Sequence, residues 1–318
     1  MSERRPAGWP ARATIVEVGL RDGLQAERAI LPTETKLDLA RQLIAAGIRH
    51  LELTSFVSPR AVPQLADAEE LLARLGRPTG VEITALVPNA KGAERAVQAR
   101  VDGMVVFLSA SESHNRKNLN RGIDRSLADV AEVTMIGEAA GIPVHAALSV
   151  AFGCPFEGEV PLDRVVGIAE ELAMLGIRRL SLGDTTGMAT PPLVRERVEA
   201  LRAKLPRLEL ALHFHNTRGI GLCNVMAGLD CGIDRFESSI GGLGGCPFAA
   251  GATGNVCTED LVYLLEECGV ATGIDLEAAI AVARAVERAL GRPLPGQVMK
   301  AGPRLKLHPL DAVATATG

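Results

Sequence analysis

The chain of 318 residues lacks several features, and each absence removes a class of function. It has no excess of basic charge, since 34 Lys and Arg stand against 38 Asp and Glu for a net charge near −4. That balance does not favour nucleic acid or an anionic membrane, so any bound anion must be held by local geometry. No apolar run approaches the roughly 18 residues of a membrane span. The opening MSERRPAGWPAR is polar, carries Pro6 and Pro10 and has no apolar stretch of signal-peptide length. A cytoplasmic location and a short loose N-terminal arm are therefore expected. The six cysteines, at 154, 223, 231, 246, 257 and 268, form no CxxC pair. Free thiols in a reducing compartment, with no structural zinc, are expected.

What is present is an alternation of two patterns. Thr14–Gly19 is β-branched and strand-like, and residues 33–46 place Leu37, Leu39, Ala40, Leu43 and Ile44 at helical spacing before Gly47. The unit recurs as 50–54 then 61–75, 81–87 then 90–100, 104–108 then 126–140, and 144–150 then 162–175. It continues as 179–182 then 192–205, 208–214 then 221–230, and 235–239 then 258–268. Glycines at 47, 76, 141, 176 and 232 stand where the helices end, and the longer polar loops follow the strands. Eight such units predict a (β/α)8 barrel, an α/β fold, better than an open doubly wound sheet. The barrel core spans about 14–270, and residues 271–318 form a helical C-terminal extension of the same single domain, with an amphipathic segment at 275–290.

A barrel places its active site where the C-terminal strand ends meet. Strand 1 leads to Arg21 and Asp22, strand 2 contains Glu52 and is followed by Ser55, and strand 6 leads to Asp184, Thr185 and Thr186. Strand 7 ends in His213 and His215, which point to one face and can share a metal ion. Strand 8 leads into Gly241–Gly245 and Cys246, with Asn255 before the last barrel helix. Each reads in two ways. Arg21 and Asp22 are a surface cation and turn carboxylate, or a clamp and a ligand. Glu52 is a buried partner of Arg21, which it can orient without losing importance. Asp184 is a loop cap or a site carboxylate. The glycine run lacks a phosphate loop's Lys-Ser/Thr ending, so it is a flap carrying Cys246 or a turn beside a buried thiol. His50, His114, His145 and His308 have no paired partner in sequence.

The stretches VGLRDGLQ (18–25), ELTSFVSP (52–59), SLGDTTG (181–187), HFHNT (213–217) and GGLGGCPFAAGATGNVCTED (241–260) resemble the 3-hydroxy-3-methylglutaryl-CoA lyase family. The similarity runs from about Thr14 to Gly269. It implies membership of the metal-dependent barrel lyase superfamily, whose relatives include isopropylmalate and homocitrate synthases and hydroxy-ketovalerate aldolases. By that resemblance Asp22, His213, His215 and Asn255 hold a divalent metal, Mg²⁺ or Mn²⁺. Arg21 lies on the substrate with Ser55, Asn118 and Thr185, while Cys246, Glu52, Asp184 and His213 join Arg21 in catalysis. Two departures stand out: Leu20 replaces the usual Pro, and residues 215–220, HNTRGI, replace HDTYGQ.

The implied partner is an acyl-CoA thioester, and a homodimer is expected. Cleaving HMG-CoA or a close 3-hydroxy-3-substituted acyl-CoA to acetyl-CoA and acetoacetate, as in leucine degradation, needs two stabilised charges. The C3 hydroxyl loses its proton, to Asp22 or His213, and the departing fragment becomes a thioester enolate held by Arg21. Cys246 or a histidine then returns a proton to carbon. A condensing enzyme or aldolase on the same barrel is the enzymatic rival, and an acyl-CoA-binding barrel without catalysis is the non-enzymatic one. The cysteine after GGLGG favours the lyase, and the intact ligand set argues against a mere binder.

Overall fold

The computed structural model describes residues 5–245 and 254–307. The strands are β1 (Thr14–Glu17), β2 (His50–Ser55), β3 (Glu82–Leu86), β4 (Gly103–Ser109), β5 (Val144–Ser149), β6 (Arg179–Asp184), β7 (Glu209–Phe214) and β8 (Arg235–Ser238). They pair in sequence order, all parallel, and β1 against β8 closes the barrel. The helices are α1 (Thr33–Ala45), α2 (Ala68–Leu75), α3 (Ala90–Gln98), α4 (Glu112–Leu119), α5 (Ile123–Ala140), α6 (Leu162–Met174), α7 (Pro191–Lys204), α8 (Gly221–Asp230), α9 (Thr258–Glu267), α10 (Leu276–Leu290) and α11 (Val298–Ala301). The expected (β/α)8 barrel with a helical C-terminal extension is thus the observed fold.

Strand residues such as Leu51, Ile83, Val106, Leu148, Leu180 and Leu212 are buried in one continuous apolar core with helix residues such as Leu43, Val133, Leu172 and Val198. Burying each of these side chains is worth roughly 1.5–3 kcal/mol. Residues from all eight strands also line a small cavity of about 30 Å³ inside the barrel, among them Val16, Glu52, Thr84, Val105, His145, Ser181, Ala211 and Glu237. A barrel interior is ordinarily filled by layers of Val, Ile and Leu. Here it holds charge. On the barrel floor Glu82 takes His50 Nδ1 at 2.7 Å and Arg179 Nη1 at 3.4 Å, and Arg179 Nε reaches Glu209 at 3.1 Å.

The extension docks by close backbone contact. Gly47 has φ +109°, and a Cβ there would stand 2.5 Å from the Gly273 carbonyl oxygen. Asp275 donates its N–H to the Ala46 carbonyl and caps α10 through Ala278 N. α10 packs on α1 and α9, burying Ile280, Val282 and Val286.

Three local features differ from the expectations. Helix α4 is an addition: its sequence, ESHNRKNL, has no apolar periodicity, and the Ser111 cap on His114 N starts it. α2 begins at Ala68 because Pro63 opens a separate 3₁₀ turn before it. The N-terminal arm is packed in its described part: Trp9 is buried and donates to Asp230 Oδ1 at 2.8 Å, and Ala13 N bonds Ala271 O. Among the described residues no helix is long and apolar enough to cross a membrane.

Candidate active site

β1 stops at Glu17, and Gly19–Gly23 form one turn of π-helix in which the Val18 carbonyl accepts from Arg21, Asp22 and Gly23. Glycine is needed at both ends of that turn. A Cβ at 19 would lie 2.5 Å from Glu17 Oε1, and one at 23 would lie 2.7 Å from Leu243 Cβ. Arg21 is thereby held on two sides, by Nε on Glu52 and by Nη1 on Asp22 Oδ1 at 2.7 Å. Burial pulls the Arg21 pKa down, but Glu52 and Asp22 outweigh it and the net shift is upward. Burial raises the Glu52 carboxyl, opposed first by Arg21.

Asp22, His213 and His215 each offer a ligand atom, and these atoms all lie within 4.8 Å of one another. The two imidazoles stand 5.2 Å apart between centroids. Burial alone would raise the Asp22 pKa, yet Arg21, His213 and His215 hold it well below the ordinary range. Asn255 completes the group from the other side of the mouth, joined to the strand end by a bridge with His215 and by Val256 N on Phe214 O. Its amide nitrogen donates to Asp22 Oδ2 at 2.8 Å and to Leu243 O at 2.9 Å, while its Oδ1 is buried with no hydrogen-bond partner. A buried acceptor without a donor beside a carboxylate and two imidazoles fits a cation.

Glu237 of β8 is a site residue that the sequence reading passed over. Its Oε2 meets His213 Nδ1 at 2.9 Å, which leaves Nε2 as the atom that could meet a metal. Such an outer carboxylate fixes the tautomer and orientation of a ligating histidine. Burial lowers the His213 pKa, but its hydrogen bond to Glu237 and that group's charge shift it upward overall. Glu17 was also passed over. It accepts from Gly19 N, Ile240 N and Thr258 Oγ1, so it ties the π-turn to the start of the glycine loop. Glu259 supports the same loop at Gly241 N. Period-2 alternation from Arg235 was the one signal that could have found Glu237.

Asp184 meets the loop-cap reading and keeps its second oxygen apart from it. Its Oδ1 caps the loop, accepting from Met188 N at 2.6 Å and Ala189 N at 2.8 Å. Its Oδ2 is buried without a hydrogen bond, and burial pushes the carboxyl up to about 7. Thr185 Oγ1 accepts from Val150 N, and Ser55 Oγ accepts from Val57 N. Asn118 is exposed on α4, and Cys246 lies outside the described residues. Asn216 caps α8 through Gly221 N, and Arg218 donates to the carbonyls of Thr186 and Gly187.

An eight-stranded parallel barrel whose C-terminal mouth gathers Asp, two His and Asn around one point has the layout of a metal-assisted barrel enzyme. The profile of the HMGL-like family matches residues 12–286, and the chain belongs to that family, which is metal-dependent in general. It is 44% identical over 289 residues to hydroxymethylglutaryl-CoA lyase YngG of Bacillus subtilis, covering 91% of this chain and 97% of that protein. It is 40% identical to the mitochondrial hydroxymethylglutaryl-CoA lyase of Gallus gallus, covering 93% and 100%. An HMG-CoA lyase from Acinetobacter baumannii, solved with coenzyme A and 3-methylmalate, superposes with a TM-score of 0.90 at 43% identity, covering 94% of this chain and 98% of that one.

Proposed function

We propose that the chain is a metal-dependent carbon–carbon lyase that cleaves HMG-CoA, or a close 3-hydroxy-3-substituted acyl-CoA, to acetyl-CoA and a 3-oxo acid. The observation that carries this reading is the convergence of Asp22, His213 and His215 beside the Arg21–Glu52 pair, in a chain of the HMGL-like family. The names of the curated relatives and the coenzyme A in the Acinetobacter structure support an acyl-CoA thioester as partner.

Asp22, His213, His215 and Asn255 would hold Mg²⁺ or Mn²⁺, for which mixed oxygen and nitrogen donors are suited. When bound, such an ion supplies Lewis acidity that lowers the pKa of the C3 hydroxyl. Arg21, immobilised by Glu52 and Asp22, stabilises the thioester oxygen as it becomes an enolate. Asp22 is held ionised with its oxygens on Arg21 and Asn255, and His213 has one nitrogen on Glu237. Asp184 is the better proton acceptor, with one oxygen free of hydrogen bonds and a carboxyl titrating near neutrality. It takes the hydroxyl proton, the C2–C3 bond breaks, C3 becomes the ketone, and the bonding electrons pass into the enolate. Cys246 returns a proton to C2 and releases acetyl-CoA. Ser55 and Thr185 offer hydroxyls to the acyl portion, and the exposed Asn118 serves the outer, CoA-bearing part.

The reading extends to one catalytic unit over residues 1–318, supported by the continuous apolar core of the described residues, and to a cytoplasmic homodimer. The test is a panel of CoA thioesters incubated with enzyme and a divalent ion. HMG-CoA should release acetyl-CoA and acetoacetate. Acetyl-CoA consumption with a 2-oxo acid would favour the condensing relative, and no turnover of any thioester would leave only a binding barrel.

A further inference from the structure

The loops that follow β5, β6 and β7 are laced together, and the middle one carries Asp184 and Thr185. From the β5 side, Val150 donates its N–H to Thr185 Oγ1 at 2.9 Å. Val150 has φ +52°, a left-handed conformation that a β-branched residue adopts only where its surroundings impose it. Within the loop, Gly187 N bonds Asp184 O at 3.0 Å, and Met188 N and Ala189 N bond Asp184 Oδ1. From the β7 side, Arg218 Nη1 donates to Thr186 O at 3.0 Å and to Gly187 O at 2.6 Å. The two loops already touch there, since a Cβ at Gly187 would stand 2.6 Å from Thr217 Cβ.

Arg218 is exposed and lies three residues beyond His215. Among the described residues no carboxylate forms a close ion pair with it, though its charge acts on Asp184; its hydrogen bonds go to two main-chain carbonyls of the neighbouring loop. A planar guanidinium carries enough donors in a fixed fork to hold two carbonyls at once, whereas the tyrosine of the pattern HDTYGQ has a single hydroxyl donor. The sequence departure at this position is therefore matched by a specific contact.

We infer that Arg218 is a positioning residue: it straps the 184–189 loop to the loop bearing the metal ligands and so fixes where Asp184 and Thr185 stand at the barrel mouth. Its catalytic consequence rests on the lyase reading above, but its structural consequence does not.

Arg218→Ala and Arg218→Lys separate the two. In Arg218→Ala the amides of Gly187, Met188 and Ala189 should exchange with solvent faster than in the wild type. With HMG-CoA, kcat should fall roughly ten-fold, because a misplaced catalytic group loses rate without losing binding. KM, metal affinity and melting temperature should stay near wild type, and Arg218→Lys should restore part of kcat. Unchanged exchange at the three amides would overturn the strap whatever the activity. Faster exchange with unchanged kcat would reduce it to a local tether and also overturn the inference. A rise in KM alone would make Arg218 a substrate contact instead. Failure of the lyase reading would show in the wild-type enzyme, and failure of this one in the exchange rates of the variant.

Discussion

Along the strands, the residues that face the helices and those that line the barrel cavity obey different rules. The first set, Ile83, Val106, Leu148, Leu180 and Leu212 among them, is aliphatic and buried. The second set adds Glu52, Thr84, His145, Ser181, Arg179 and Glu237 to apolar neighbours such as Val16 and Val105, so charge stands where a barrel is ordinarily filled by aliphatic layers. Hydrophobic burial is therefore continuous between sheet and helices, while the barrel interior mixes apolar residues such as Val16, Leu51 and Val105 with charged groups that orient the mouth. The Arg21–Glu52 and His213–Glu237 contacts run from that interior up to the candidate ligands. Stability and chemistry should accordingly separate under mutation.

The sharpest separation is expected at the ligands. His213→Ala should lower activity by three orders of magnitude or more, since metal-assisted catalysis is lost with the ligand, while the melting temperature barely moves. Metal analysis beside thermal unfolding checks this, and a variant that unfolds would merge the two regions. Leu180→Ala, in the fully buried shell, should cost about 2–5 kcal/mol of stability and leave metal affinity and kcat at low temperature intact. Denaturant unfolding and kinetics on the same sample read both. Glu237→Gln should weaken metal affinity about 10–100-fold through the loosened His213, with little effect on folding. A calorimetric metal titration would show it.

The smallest effect is a pH dependence from beneath the glycine loop. Burial pushes Glu17 up to about 7 and Glu259 up to about 8, from an ordinary value of 4.5. A carboxyl with a raised folded pKa binds its proton more tightly folded than unfolded. Its contribution is therefore fully present below about pH 4.5, is lost as pH rises through 7 and 8, and is level beyond. The melting temperature should decline across that window, and Glu259→Gln should flatten the decline. An unchanged slope in the variant would return Glu259 to the role of a simple hydrogen-bond acceptor.

The same division explains what could be read from sequence. The shell follows helical periodicity and strand propensity, so the eight units and their glycine ends were legible. The clustering of the candidate ligands was legible because His213 and His215 are two apart on a strand end and because the quoted motifs are dense around them. Asn118 shows the limit. Helix α4 has no apolar face to betray it, so nothing in the pattern indicated that Asn115 would turn inward, to Ser109 N and Ser126 Oγ, while Asn118 faces solvent. Glu237 was missed for a related reason: in a strand of four residues alternation from Arg235 is its only mark, and its partner lies 24 residues away. The π-turn at Gly19–Gly23 was not legible because its stabilising acceptor, Glu17, precedes it and that carboxylate's other partners come from Ile240 and Thr258.

The most direct test of the separation between shell and mouth is to strip the wild-type enzyme with chelator, dialyse it, and follow acetyl-CoA release from HMG-CoA as Mg²⁺ or Mn²⁺ is returned, with circular dichroism recorded at each step. The account predicts an unchanged barrel spectrum throughout, no turnover in the stripped enzyme, and activity that rises with the added ion to saturation. Full turnover in excess chelator, or a barrel that unfolds when the ion is removed, would contradict it.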